Sequence, residues 1–318
     1  MRVINQEITS DYSIYNVDTV ELAQSLPSES VDYSVFSPPF ASLYTYSNSD
    51  RDMGNVKSYQ EFWGHYQFLI KEQFRVIKSG RSVSIHCMNL PSSKQNDGFI
   101  GIKDFRGDLI RAYQNEGFIF HSEVVIWKNP VTAMTRTKAL GLLHKTVKKD
   151  SIMSRMGIPD YVITMRKPGT NKRPVAGEFK YYVGDIPPSG FKRIIRDDGT
   201  HFWMPGNENT SIDVWQKYAS PVWDDINETD TLNFREGRES DDERHICPLQ
   251  LDVIERCLQL WSIKGDVVWT PFMGIGSEVY MAIKLGRKAI GAELKTSYYN
   301  LALRNIRLAS SSQYDMFG

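Results

Sequence analysis

The chain has 318 residues, is 41% apolar and balances 38 basic against 38 acidic residues, so it can bury one large core or two modest ones and is not a general polycation. No run approaches the ~18 apolar residues of a membrane span and MRVINQEITSDYS lacks a secretory signal's hydrophobic region, which makes the cytoplasm the expected compartment, away from membranes. Cys87, Cys247 and Cys257 form no C-x-x-C pair and the six histidines are singly placed, so neither a disulfide frame nor a metal site is expected.

VDYSVF (31–36) is strand-like and runs into the tetrad Ser37-Pro38-Pro39-Phe40. Ser58 and Glu61 stand in capping-box spacing before a helix that places Phe62, Tyr66, Leu69 and Ile70 on one face. RSVSIHC (81–87) is a strand, DFRGDLIRAYQNEG (104–117) a helix closed by Gly117, and FIFHSEVVIW (118–127) a strand or bent hairpin. Near the other end come a helix at 248–262, a short strand at 266–270, a helix at 277–286, a strand at 288–294 and a helix at 297–308. This alternation predicts an α/β fold with a largely parallel sheet between helical layers. Residues 130–245 have no such rhythm; KPGTNKRP, GDIPPSG and MPGNENT predict an insertion of loops and short elements.

Charge is balanced only on average. Lys128 to Arg173 holds 11 Lys or Arg against Asp150 and Asp160, a candidate phosphate-facing region or a solvated face. Glu208 to Glu243 holds 11 Asp or Glu against Lys217, Arg235 and Arg238, which reads as a solvated linker or a shielding flap.

Two stretches carry chemistry. In DVVWTPFMGIGSEVYMAIKLGRKAIGAEL a strand ends at Thr270, Gly274 and Gly276 permit close backbone approach, a helix follows, and Glu293 ends the next strand. A carboxylate there is placed to accept hydrogen bonds from ribose hydroxyls, and the absence of a third glycine favours an adenosyl ligand over a dinucleotide. Phe272 or Tyr298 is available to pack around the nucleoside. In SPPF the paired prolines enforce extended backbone and contribute no N–H, so the tetrad presents acceptors: the Ser37 hydroxyl and the carbonyls of Ser37 and Pro38. Those acceptors suit the two hydrogens of an exocyclic amino group, with Phe40 as a planar face beneath the ring. The alternative is a rigid turn and nothing more.

Together with DERHICPLQLDVIERCLQLW, these segments resemble the amino-group DNA methyltransferases, in the permuted class whose catalytic segment precedes the cofactor segment. The resemblance covers both α/β ends. It implies a Rossmann-like, circularly permuted methyltransferase fold: residues 1–129 as the catalytic half, 130–245 as an inserted target-recognition region and 246–318 as the cofactor-binding half. It further implies S-adenosylmethionine as cofactor, no metal, DNA as partner, room for a homodimer, and a role in DNA modification of the restriction–modification kind.

On this resemblance Ser37, Pro38, Pro39 and Phe40 are the catalytic tetrad. Thr270, Pro271, Phe272, Gly274, Gly276 and Glu293 form the cofactor site, with Asp18 near the adenine. Lys138, Lys145, Lys148, Lys149, Arg155, Arg166 and Lys167 are the candidate DNA contacts. Tyr44 and Tyr46 are candidates for the mouth of the site and Trp127 for its border, though a core position suits Trp127 better. A serine at the head of the tetrad favours cytosine N4 as target over adenine N6. Cytosine C5 transfer is disfavoured because no cysteine sits in a suitable loop. Two departures stand out: Thr270 replaces an acid and Cys247 a lysine. They keep open a second reading, a nucleic-acid-binding protein without turnover.

Overall fold

All six residues of Val31–Phe36 are buried, which requires cover on both faces of that strand. The computed structural model, which describes residues 2–40, 53, 56, 58–137, 143–177, 179–197, 199–206, 211–233 and 248–311, makes it the fifth of nine strands in one sheet. Tyr44, Tyr46, Lys138, Cys247, Glu208 and the acidic residues from Glu236 to Glu243 lie outside the described residues.

In chain order the elements are β1 (Asn5–Ile8), β2 (Tyr12–Asn16), α1 (Thr19–Ser25), β3 (Val31–Phe36), α2 (Tyr59–Val76), β4 (Ile77–Met88), β5 (Leu90–Ser92), α3 (Lys94–Asp97), β6 (Gly101–Lys103), α4 (Phe105–Asn115) and β7 (Ile119–Ile126). There follow α5 (Pro130–Thr137), α6 (His144–Lys149), β8 (Asp160–Arg166), β9 (Phe191–Ile195), β10 (His201–Pro205), α7 (Ser211–Tyr218), β11 (Val222–Trp223), α8 (Leu251–Trp261), β12 (Val267–Thr270), α9 (Ser277–Lys284), β13 (Lys288–Glu293) and α10 (Thr296–Ser311).

The large sheet has the order β1-β2-β13-β12-β3-β4-β8-β7-β11. From β2 to β4 every pairing is parallel, while β1 is antiparallel to β2 and β8 is antiparallel to both β4 and β7. Strands β12 and β13 come from the far end of the chain yet lie between β2 and β3, which is the permuted order expected. Helices cover both faces. One core gathers α8, α9 and α10 around Tyr33, Val35 and Val268; the other gathers α2 and α4 around Phe36, Val83 and Ile163.

Capping explains where the longest helix begins. Ser58 Oγ accepts from the Glu61 backbone N–H at 3.1 Å and so satisfies one of the otherwise unpaired donors of the first turn of α2. Ser58→Ala lowers unfolding free energy by about 1 kcal/mol and Ser58→Asp restores most of it, as read from denaturant midpoints.

The middle segment does not stand apart from the α/β body. Strand β8 occupies the sheet between β4 and β7, and β11 extends its edge, so the expected unit 130–245 contributes two strands to the central sheet. Its strands β9 and β10 and helix α7 pack around a small cluster of Tyr182, Val183, Phe202, Val214 and Tyr218. Arg256 of α8 fastens that cluster from the buried side. Its guanidinium donates to the Val183 carbonyl and, at 2.9 Å, to Asp225. Asp225 is therefore a buried ion-pair partner, not part of a solvated acidic linker.

Strand β8 also divides the basic run. A seven-residue strand spans roughly 20 Å, and Asp160 and Arg166 sit at its opposite ends. Asp160 pairs with Met88 at the end of β4 that adjoins Ser37, whereas Arg166 pairs with Ser82, midway along that strand, and with Ile119 at the start of β7. Lys167 is buried, donates to the Ile77 carbonyl at 2.8 Å and lies over the Phe74 ring. Arg173 reaches the buried Asp266, just before the start of β12. Arg166 and Lys167 thus lie at the end of the sheet away from Ser37, apart from the other described candidates for DNA contact.

Candidate active site

Parallel pairing brings the carboxyl ends of β3, β4, β12 and β13 to one edge of the sheet. Ser34 Oγ donates to the Trp269 carbonyl at 2.7 Å, locking β3 to β12 just before Ser37 and Thr270 emerge. The two segments singled out in the sequence come from opposite ends of the chain and are thereby neighbours.

In the first segment Pro38 and Pro39 are buried, while Ser37 and Phe40 are partly exposed. Phe40 meets Phe105 edge to face at 6.2 Å, so part of its ring belongs to the core. Ser37 Oγ lies 3.2 Å from His86 Nδ1.

In the second, Gly274 and Gly276 have φ of 53° and 91°, values that favour glycine at both positions. A Cβ on Gly276 would meet Ala302 Cβ at 3.1 Å, so this glycine lets the loop lie against α10; around Gly274 a Cβ would meet only open space. Glu293 ties the loop to β13: its carboxylate accepts from the Gly274 N–H at 2.9 Å and from the Lys295 N–H at 2.8 Å. Phe272 is partly buried between Phe36 (5.8 Å) and Tyr66 (6.4 Å). Tyr298 is buried beneath the Lys295 ammonium, and Pro271 is buried at the end of β12.

Asp18 caps α1, its Oδ1 accepting from the Val20 and Glu21 N–H groups at 2.9 and 3.1 Å. Beside it, the Val17 N–H donates to the Glu293 carbonyl, which puts Asp18 next to the strand end that carries Glu293. The organiser of this corner is Asn16, which sequence reasoning missed. Fully buried, it donates to the carbonyls of Glu293 and Leu294 and accepts from Thr296 Oγ1. Its signal was a polar residue ending the inward-facing alternation Tyr12, Ile14, Asn16.

A polar ligand fits this loop. Thr270 Oγ1 and Ser277 Oγ, at its two ends, are buried without a hydrogen-bond partner, and such hydroxyls cost free energy unless something pairs with them. Thr270 stands where the resemblance expects an acid. Nearby, burial pushes the Glu278 carboxyl up to about 8, so it adds little negative charge near neutrality. Among the described residues no cluster of three or more His, Cys, Asp or Glu could hold a metal, and no helix is long and apolar enough to cross a membrane.

Four of the candidate DNA contacts lie in one excursion from this edge. The chain leaves the sheet at Ile126 and returns at Asp160, residues that face each other across β7 and β8. Between them Lys145, Lys148 and Lys149 are exposed on α6, and Arg155 is partly buried with its guanidinium donating to the Met156 carbonyl. Trp127 is half exposed at the root of the excursion, not a core residue.

The family model for N6/N4 methyltransferases, described as DNA methylase, matches residues 31–304. The chain belongs to this DNA methylase family. Among curated relatives, this DNA methylase is 25% identical over 292 residues to the type II methyltransferase M.BglII of Bacillus subtilis, covering 91% of the chain and 67% of the relative. It is likewise 25% identical over 281 residues to M.BamHI of Bacillus amyloliquefaciens, covering 88% of the chain but only 54% of that relative's length. In structure, the methylase aligns with the PvuII DNA methyltransferase (cytosine-N4-specific) at a TM-score of 0.60 and 16% identity, over 98% and 94% of the two chains. A candidate DNA modification methylase of Thermus thermophilus, solved with S-adenosyl-L-methionine, aligns at 0.58 and 21% over 92% and 93%. At these identities the structural likeness establishes the shared fold.

Proposed function

We propose that this DNA methylase transfers the methyl group of S-adenosylmethionine to the exocyclic amino group of a base turned out of the DNA stack, with cytosine N4 as the target. The observation that carries the reading is the adjacency, through the β3–β12 pairing, of a tetrad whose two prolines bring carbonyls without N–H donors and a glycine loop with a strand-end carboxylate.

S-adenosylmethionine supplies a methyl group already activated on a sulfonium, so the protein's task is alignment more than acid–base chemistry. Glu293 would receive the ribose hydroxyls, Asp18 and the Gly274–Gly276 backbone would border the nucleoside, and the unpaired Thr270 and Ser277 hydroxyls would find partners in the methionyl part. Ser37 and the Pro38 carbonyl would accept the two amino hydrogens, drawing the nitrogen lone pair out of conjugation with the ring. Phe40 would replace part of the stacking that the base gives up. The serine at position 37 and the cytosine-N4-specific fold relative both support cytosine over adenine.

The test is to incubate the protein with methyl-labelled cofactor and unmethylated DNA and to digest the product to nucleosides for mass analysis. N4-methylcytosine is expected. N6-methyladenine moves the target to adenine; no methylated base, or 5-methylcytosine alone, overturns the reading.

DNA is expected to lie along the excursion between β7 and β8. Neutralising Lys145, Lys148 and Lys149 flattens the log–log dependence of DNA affinity on salt by about 0.9 for each phosphate that no longer meets a cation. Neutralising Arg166 and Lys172, at the far end of the sheet, leaves the slope unchanged. Fluorescence anisotropy across a salt series reads both, and coincident slopes for wild type and the α6 variant mean that α6 does not face phosphate.

A further inference from the structure

Four side chains along the sheet edge form a chain that ends on the tetrad. Lys128, two residues past β7, pairs with Asp160 at the start of β8. Asp160 Oδ2 lies 2.9 Å from His86 Nε2, and His86 Nδ1 lies 3.2 Å from Ser37 Oγ. Register favours the approach: Phe36 pairs with Ile85, which puts Ser37 beside His86, and Asp160, opposite Met88, is the diagonal cross-strand neighbour of His86. Asp160 is 2% exposed and His86 9%, so water has little access to the bond between them.

We propose, building on the methyl-transfer reading above, that His86 is a positioning residue for the Ser37 hydroxyl: held in one tautomer by Asp160 and Lys128, it takes the Ser37 proton as a hydrogen bond and leaves Ser37 only acceptor capacity toward the base. Burial would raise the Asp160 carboxyl, but the neighbouring Lys128 ammonium and His86 outweigh it and hold it below the usual aspartate value. An ionised carboxylate only accepts, so the ring nitrogen facing it, Nε2, carries the hydrogen. In the neutral ring Nδ1 is then an acceptor, and the group opposite it is the Ser37 hydroxyl, which must donate. The competing acceptor, the His86 carbonyl, is farther away at 3.4 Å. A hydroxyl has one proton and two lone pairs. Once the proton is committed to His86, the hydroxyl faces the amino group as an acceptor, and the rotor does not have to be ordered during the reaction.

A histidine that merely satisfied buried Asp160 would give a different mutational pattern. Asn carries its amide oxygen on Cγ, where the ring carries Nδ1, and so keeps the acceptor for Ser37. Gln places its amide near the position of Nε2 and so keeps the donor to Asp160. In single-turnover transfer of labelled methyl to unmethylated plasmid DNA, His86→Ala is expected to slow the reaction roughly 2- to 13-fold, the worth of one hydrogen bond. Affinity for S-adenosylhomocysteine is expected to stay within about two-fold, since His86 has no bond to the glycine loop. His86→Asn recovers most of the rate, while His86→Gln recovers melting temperature but not rate. Long-range proton–nitrogen NMR on the protein without DNA reads the ring directly and should find His86 as the Nε2–H tautomer. An Nδ1–H tautomer, recovery by Gln instead of Asn, or rate loss that follows melting temperature overturns the assignment alone. Absence of transfer by the wild type overturns the methyl-transfer reading and this assignment with it.

Discussion

Glu293→Ala raises the dissociation constant of S-adenosylhomocysteine by at least roughly 10- to 150-fold, as the loss of even one charge-assisted hydrogen bond to the ribose, worth about 1.5–3 kcal/mol, would require. Two backbone N–H groups, of Gly274 and Lys295, already occupy one site on each carboxylate oxygen. A carboxylate offers about four acceptor sites and can take ribose hydroxyls as well as backbone donors. The same two bonds fix the loop and the start of α10, which adds to the loss when the side chain is removed. Glu293→Gln is expected to fall close to Ala. An amide has only one oxygen, and its NH2 would face a backbone N–H whichever way it turned. Calorimetry on folded variants decides the matter. A constant unchanged from wild type removes Glu293 from the site.

Phe40→Ala lowers single-turnover methyl transfer by roughly 5- to 150-fold while leaving cofactor affinity nearly intact, because base–aromatic stacking is worth about 1–3 kcal/mol. The edge-to-face packing on Phe105 means that truncation also costs some stability, so rate must be read beside melting temperature. Phe40→Trp and Phe40→Leu separate the two effects. A planar face predicts that Trp retains more activity than Leu. A ring that only fills space behind two buried prolines predicts that Leu is tolerated at least as well and that every loss follows stability. Full activity in a folded Phe40→Ala protein would rule out the clamp.

The sequence by itself determined the elements whose patterns are local. Val31–Phe36 was legible as a strand, and α2 from Ser58 onward as a capped helix, because hydrophobic period and capping chemistry depend on near neighbours. The two site segments were legible for the same reason: paired prolines constrain their own backbone, and Gly274 and Gly276 adopt the positive φ that glycine allows. What depended on register and on strand order was decided only in three dimensions. Strand β8 looked like part of a loop-rich insertion, since seven residues between turn-rich stretches give no sign of the partners they will find, yet β4 and β7 enclose it. Its passage through the sheet splits a continuous basic run, sending Lys145, Lys148 and Lys149 to the edge that holds Ser37 and burying Lys167 at the other. His86 read as one of six isolated histidines because the residues that give it meaning, Ser37 and Asp160, lie 49 and 74 positions away. Sheet pairing is a non-local interaction, so side chains that share an edge of the sheet carry no common mark along the chain.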